Sequence, residues 1–262
     1  MPSHLVIPDT QAKPGVSDEH MVWAAKYALR HRPDVIVHLG DHWDMPSLSS
    51  YDSLASKAVR GLDVLEDINA GNASLFSFDS TIALWNRATN HRRRYKPRKI
   101  LLRGNHDGET NGGRIGRAIE ADPMLRGFFA AHPLLSPGWQ VVPFLKPIEI
   151  DGIAYCHYFP RGANGCVMQQ RRGAPSAKAQ CVREGRSATA GHKQGLDVAR
   201  VTVGGGRTFR GLIAGSFYMH DEGYKSPQGN SHWRGILHKR HVHAGDYDLT
   251  EVSLETLRRE FA

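Results

Sequence analysis

Cysteine is scarce: Cys156, Cys166 and Cys181 are the three in 262 residues, and no two form a CxxC pair. An odd number at such spacing argues against a disulfide framework and for a reducing compartment. No apolar run approaches the ~20 residues that a membrane-spanning helix needs. The opening MPSHLVIPDTQ has neither the basic head nor the long apolar stretch of a secretory signal, so a cytoplasmic location without a membrane partner is expected. Repeats, low-complexity tracts and linkers long enough to separate domains are also missing. One domain spanning 1–262 is therefore expected, a length at which a single α/β core is routine.

Basic charge and histidine are plentiful. Lys and Arg number 34 against 26 acids, a formal net charge of +8, which favours encounter with polyanions without saying which. Fifteen histidines form a pool of ligands and acid/base groups, most of them expected to be surface residues without a role.

The apolar pattern predicts an α/β fold. HLVIPDTQ (4–11) turns from apolar to polar, as a buried strand does at its carboxyl end. Ser17, Asp18 and Glu19 open a helix through about Arg32, where acids suit the positive end of the helix dipole. DVIVHLGD (34–41) and KILLRGN (99–105) are the next strands, with a long connection between them and a helix predicted from about Thr81 to Arg94. Strand, helix, strand, helical crossover and strand imply parallel pairing under helices. After Pro143, IEIDGIAYCHYF reads as a hairpin turning at Asp151-Gly152. TVGGGRTFRGLIAGSFY and WRGILHKRHVHAGDYDLTEV read as antiparallel pairs, and SLETLRREF as a closing helix.

Polar groups recur where these strands end, the place where open α/β sheets bind ligands. They are Asp9-Thr10-Gln11, GDHWD (Gly40 to Asp44), GNHD (Gly104 to Asp107), His157 in YCHYF, and AGHKQ with His192 and Gln194. Each alone is weak; five in order are not. The order resembles the calcineurin-like metallophosphoesterases, whose pattern is DxH, GDxxD, GNH(D/E), a later His and GHxH, over about residues 4–196. DTQ, GHxQG and the downstream SFYxHDExYxxPQGNxHWRG are also similar to phosphoesterases encoded in bacteriophage genomes.

The resemblance implies a fold and a site. The fold is a β-sandwich of two mixed sheets flanked by α-helices, in four αββα layers. Asp41 bridges two divalent ions; Asn105, His157 and His192 complete one site, and Asp9 belongs to the other. There the family has two histidines where this chain has Gln11 and Gln194. A glutamine carbonyl is a neutral, hard oxygen donor, so that site shifts toward Mg²⁺ or Mn²⁺ and away from zinc. The other keeps two imidazoles and suits Mn²⁺, Fe²⁺ or Zn²⁺, which makes Mn²⁺ the leading expectation for both. The bland alternatives stay open: glutamines bonded beside an empty site, His157 as a core histidine, and Asp9 and Asp41 as caps.

Two such ions ~3.5–4 Å apart clamp a phosphate and activate water. By resemblance His106 faces the phosphate, to donate a proton to the leaving oxygen or to stabilise phosphoryl charge, with Asp44 orienting it. Asn105, His106, Arg114 and Arg161 are the candidate phosphate contacts, with Arg117 and Asn164 nearby. His42 is expected to support its loop. The basic run HRRRYKPRK (91–99) reads either as a nucleic-acid contact or, preferably, as a solvated helix end. The expected activity is hydrolysis of phosphomonoesters in a small molecule or nucleotide, with diester hydrolysis left open. The alternatives are a nuclease or cyclic-nucleotide phosphodiesterase, for which nucleic acid is the partner, and a binding scaffold that has lost catalysis.

Overall fold

Alternation along the strands decides the architecture. In β1 (His4–Ile7), Leu5 and Ile7 enter one apolar cluster and Val6 another. In β2 (Val35–His38), Ile36 joins the first while Val35 and Val37 join the second. β3 (Arg98–Leu102) repeats this with Leu101 against Ile100 and Leu102. Successive side chains of a strand point to opposite faces, so a sheet apolar on both must be covered on both.

The computed structural model describes residues 1–49, 61–160, 175–222 and 227–262. The first sheet has the order β11-β10-β1-β2-β3-β4, where β4 is Gln140–Val142, β10 Gly235–His243 and β11 Asp246–Ser253. β1 to β4 are parallel, and β10 runs antiparallel to β1. The second sheet has the order β5-β6-β7-β9-β8, from β5 (Ile148–Ile150), β6 (Ile153–Cys156), β7 (Ser187–Ala190), β8 (Leu196–Thr202) and β9 (Thr208–Ala214). Val6, Val37 and Ile100 meet Ile153, Tyr155 and Leu212 between the sheets. The outer face of the first sheet is covered by α1 (Glu19–His31), α2 (Val64–Ala88) and a C-terminal helix (Leu254–Phe261). Helix Ala177–Glu184 covers the second through Cys181, which packs with Ala154, Cys156 and Ala188. The result is the predicted αββα stack of two mixed sheets.

The three hairpins form as read, the first with Asp151 and Gly152 both at positive φ (49° and 81°). Other boundaries differ for physical reasons. β1 stops at Ile7 because Pro8 has no N–H for the ladder. α1 starts at Glu19, and the Asp18 carboxylate accepts from the Ser77 hydroxyl at 2.6 Å instead of capping its own helix. The helix predicted over 81–94 is α2, 25 residues from Val64 to Ala88. Asp63 caps it by accepting from the Leu65 and Glu66 amides, while Gly71, Ser74, Ser77 and Ser80 dilute its helical signature. β4 has no counterpart in the sequence reading. The basic run 91–99 sits at the amino end of β3, the opposite end of that strand from GNHD. Among the described residues no helix is long and apolar enough to cross a membrane, and Cys156 and Cys181 are free thiols.

Gly71 of α2 is needed for packing, since a Cβ there would run into the Trp43 indole that closes the GDHWD loop. Gly71→Ala is expected to lose about 1–3 kcal/mol in urea unfolding despite its better helix propensity. Gly127→Ala, on an exposed helix with nothing near its Cβ, is expected to gain up to ~1 kcal/mol. Equal effects at the two positions would contradict this packing.

Candidate metal centre

Register brings the polar groups together. Ile7, His38 and Leu101 lie level across β1, β2 and β3, so Asp9, Asp41 and Asn105 emerge at one edge of the first sheet. Cys156 and Ala190 lie level in β6 and β7, which delivers His157 and Gly191-His192 together from the second. The edges are stitched to each other: His157 Nδ1 donates to the Leu39 carbonyl at 2.9 Å, and the His192 amide to Asp9 Oδ1 at 3.1 Å. Gln11, Asp41, Met45 and His192 all sit at positive φ, between 45° and 64°, in four non-glycine residues that rarely adopt it. Strain gathered this way marks a site the surrounding fold over-determines. Gly104 and Gly191 allow the approach, because a Cβ on either would strike the carboxylates of Asp41 and Asp9 respectively.

At the centre is Asp41, buried with its carboxylate. Oδ1 accepts from the His106 amide at 2.7 Å, and Oδ2 lies 3.3 Å from His157 Nε2. The same Nε2 is 3.0 Å from Asn105 Oδ1, which is 2.7 Å from His192 Nδ1. One ligand atom each from Asp41, His157 and His192 fall within 4.8 Å of one another. Because His157 Nδ1 carries the hydrogen given to Leu39, its Nε2 is free to coordinate. An ion with donors at about 2.1 Å holds neighbouring donors about 3 Å apart, which is the spacing around Asn105.

The electrostatics suit a cation. Burial lowers the His157 ring, but the Asp41 and Asp9 carboxylates overcome it and raise the pKa to about 9. A proton thus stands where positive charge is needed. Burial opposes ionisation of Asp41, yet His106 and His157 hold it well below the usual carboxylate range. Burial, then His157, lowers His192 to about 4, leaving a neutral imidazole suited to coordination. On the other flank, burial lifts Asp9 to about 7, and both Asp9 Oδ2 and Gln11 Oε1 are buried without a hydrogen-bond partner. Two orphaned oxygens suit a hard cation. Gln194 is engaged differently, its Oε1 accepting from the Tyr218 hydroxyl at 3.1 Å.

His106 lies beside this cluster. Its Nδ1 donates to Asp44 Oδ1 at 2.7 Å, and its Nε2 faces Arg114 Nη2 at 3.1 Å and Asp41 Oδ2 at 3.9 Å. Burial lowers the ring, but Asp41 and the hydrogen bond to Asp44 outweigh it and the pKa stands above its ordinary value. Burial pushes Asp44 up, and the bond from His106 with Lys13 and Arg114 brings it down to about 2. Arg114 also donates to the Asp44 carbonyl at 2.6 Å.

Asp9, Asp41, Asp44, Asn105, His106, Arg114, His157 and His192 therefore share one network, with Gln11 tied in by its amide on the Asp41 carbonyl at 2.9 Å. Arg117 is exposed, and its guanidinium donates to the Gly112 carbonyl. Arg161 and Asn164 lie outside the described residues. His42 supports its loop as read, pairing with His38 and the Gly71 carbonyl. Three contributors carried no assignment from the sequence. Asp107 joins two loops by accepting from the Gly104 and His42 amides; its place in GNHD was the available signal. Lys13 and Glu222 lie behind Asp44, and nothing in their spacing announces that contact.

No family model matches the chain, and neither does any curated protein. Among solved structures that resemble it, one crystal structure is 11% identical with a TM-score of 0.41, covering 97% of this chain and 100% of its own. A likeness so distant says nothing about activity.

A proton on His157 must leave when an ion arrives. Mn²⁺ affinity measured by calorimetry is therefore expected to rise with pH, by up to about tenfold per unit, and to level off above about 9. Affinity independent of pH between about 6 and 8 would contradict this arrangement of donors.

Proposed function

We propose that the protein is a divalent-metal-dependent phosphoesterase acting chiefly on phosphomonoesters. One observation carries the reading: the Asp41 carboxylate faces a ready donor set on one side and an Asp–His pair on the other. Asp41, Asn105, His157 and His192 would hold one ion, and Asp9 and Gln11, sharing Asp41, would hold another. When bound, such ions neutralise phosphoryl oxygens and activate water. This chain's own residues do the rest. His106, with Nδ1 fixed on Asp44, would give its Nε2 proton to the leaving oxygen once Arg114, which donates to that nitrogen in the neutral ring, turns to the phosphate. Arg114, whose guanidinium already reaches that Nε2, is placed to share the phosphoryl charge. The position of the 91–99 run at the far end of β3 gives no support to a polyanion groove at the site. Retention of the His106–Asp44 pair favours an enzyme over a scaffold.

Purified protein with Mn²⁺ is expected to hydrolyse para-nitrophenyl phosphate and a 5′-nucleotide faster than the bis-aryl diester. On the 5′-nucleotide, whose leaving alkoxide needs a proton, His106→Ala is expected to lower kcat by about 10²–10⁴ while metal content stays unchanged. Absence of turnover on every ester with every divalent ion would remove the reading. Hydrolysis of DNA, RNA or cyclic nucleotides in preference to monoesters would replace it with the diesterase.

A further inference from the structure

The carboxylate behind His106 is gripped at both oxygens. Asp44 Oδ1 accepts the hydrogen bond from His106 Nδ1, and Asp44 Oδ2 lies 3.2 Å from Lys13 Nζ. Lys13 does not reach this place unaided. Its ammonium donates to both oxygens of Glu222, at 2.8 and 3.0 Å. Glu222 is fixed in turn: His220 Nε2 lies 2.8 Å from Oε1, and Asn230 bonds its backbone at 3.0 and 3.1 Å. The side chains of Lys13, Asp44, Glu222 and His220 are 19, 10, 7 and 12% exposed, so water screens these contacts little.

We propose that Lys13 and Glu222 are positioning residues for the His106 acid, acting through Asp44. A carboxylate turns easily about its terminal torsion, with only broad minima. With Oδ1 alone engaged, Asp44 swings and carries the imidazole with it. An ammonium on Oδ2 fixes the carboxylate plane, and Glu222 stops that ammonium from following solvent. The order of contacts is His106, Asp44, Lys13, Glu222 and His220. It reaches from the GNHD loop to a segment more than a hundred residues later. The assignment rests on the phosphoesterase reading for its kinetic consequence, but its geometric half does not.

The test uses the full-length protein and the variants Lys13→Met and Glu222→Gln, the second nearly isosteric in case the first folds poorly. The aryloxide of an activated aryl phosphate leaves without a proton, whereas the alkoxide of an alkyl ester such as glycerol phosphate needs one from His106. Both variants are expected to lose about 10- to 100-fold in kcat on the alkyl ester, several-fold less on the aryl ester, with little change in KM. Lys13→Arg is expected to restore some of the loss. In metal-free protein, the low-field proton signal of His106 Nδ1–H is expected to broaden or shift in both variants. Equal losses on the two esters, or an unchanged ring signal, would overturn the proposal. If the parent protein hydrolysed no ester, the phosphoesterase reading would fall while the ring signal still decided whether the clamp holds His106.

Discussion

One buried negative charge, on Asp41, organises the lip where the two sheets meet. Removing an unpaired carboxylate from water costs several kcal/mol, so Asp41 is tolerable only if positive charge and donors surround it. The His106 amide, the His157 ring and the His106 side chain meet that demand in the protein alone. Yet Asn105 Oδ1 and Asp41 Oδ2 both turn toward His157 Nε2, whose proton they share at the place an ion would take. The sharp backbone turns at Gln11, Asp41 and His192 are the cost of bringing them there.

Seen from Asp41, the two sheets have a purpose beyond burying apolar area. Parallel strands end level, so each sheet delivers its polar residues at one height, and packing the sheets face to face brings the two rows together. The main-chain bridge from Asp9 to Ser216 and the bond from His157 to Leu39 join the rows at the lip. Beyond Ser216 the chain meets both flanks, through Tyr218 on Gln194 and Glu222 on Lys13. The donor side and the acid side of the site are therefore braced by the same stretch.

Much of this is legible in the sequence because it is local. Short runs ending in GD, GN and GH announce strands with polar carboxyl ends, and the two-residue and Gly-rich turns announce the hairpins. What stays hidden depends on distant partners. The first two-thirds of α2 escapes the sequence reading because Gly71 makes room for Trp43 and Ser77 serves Asp18, both against helix propensity. Lys13 reads as a loop lysine, since Glu222 is about two hundred residues away. Gln194 stands in a motif, but its hydrogen bond to Tyr218 is a property of the fold. Short β4, with three residues and one buried, has too little pattern to be read.

The most direct measurement is an anomalous difference map from crystals grown with Mn²⁺. A peak is expected within about 2.0–2.4 Å of donors from Asp41, Asn105, His157 and His192, with a second between Asp9 and Asp41. A map with no peak at that lip, or with His157 and Asn105 turned away from Asp41, would contradict a metal centre there.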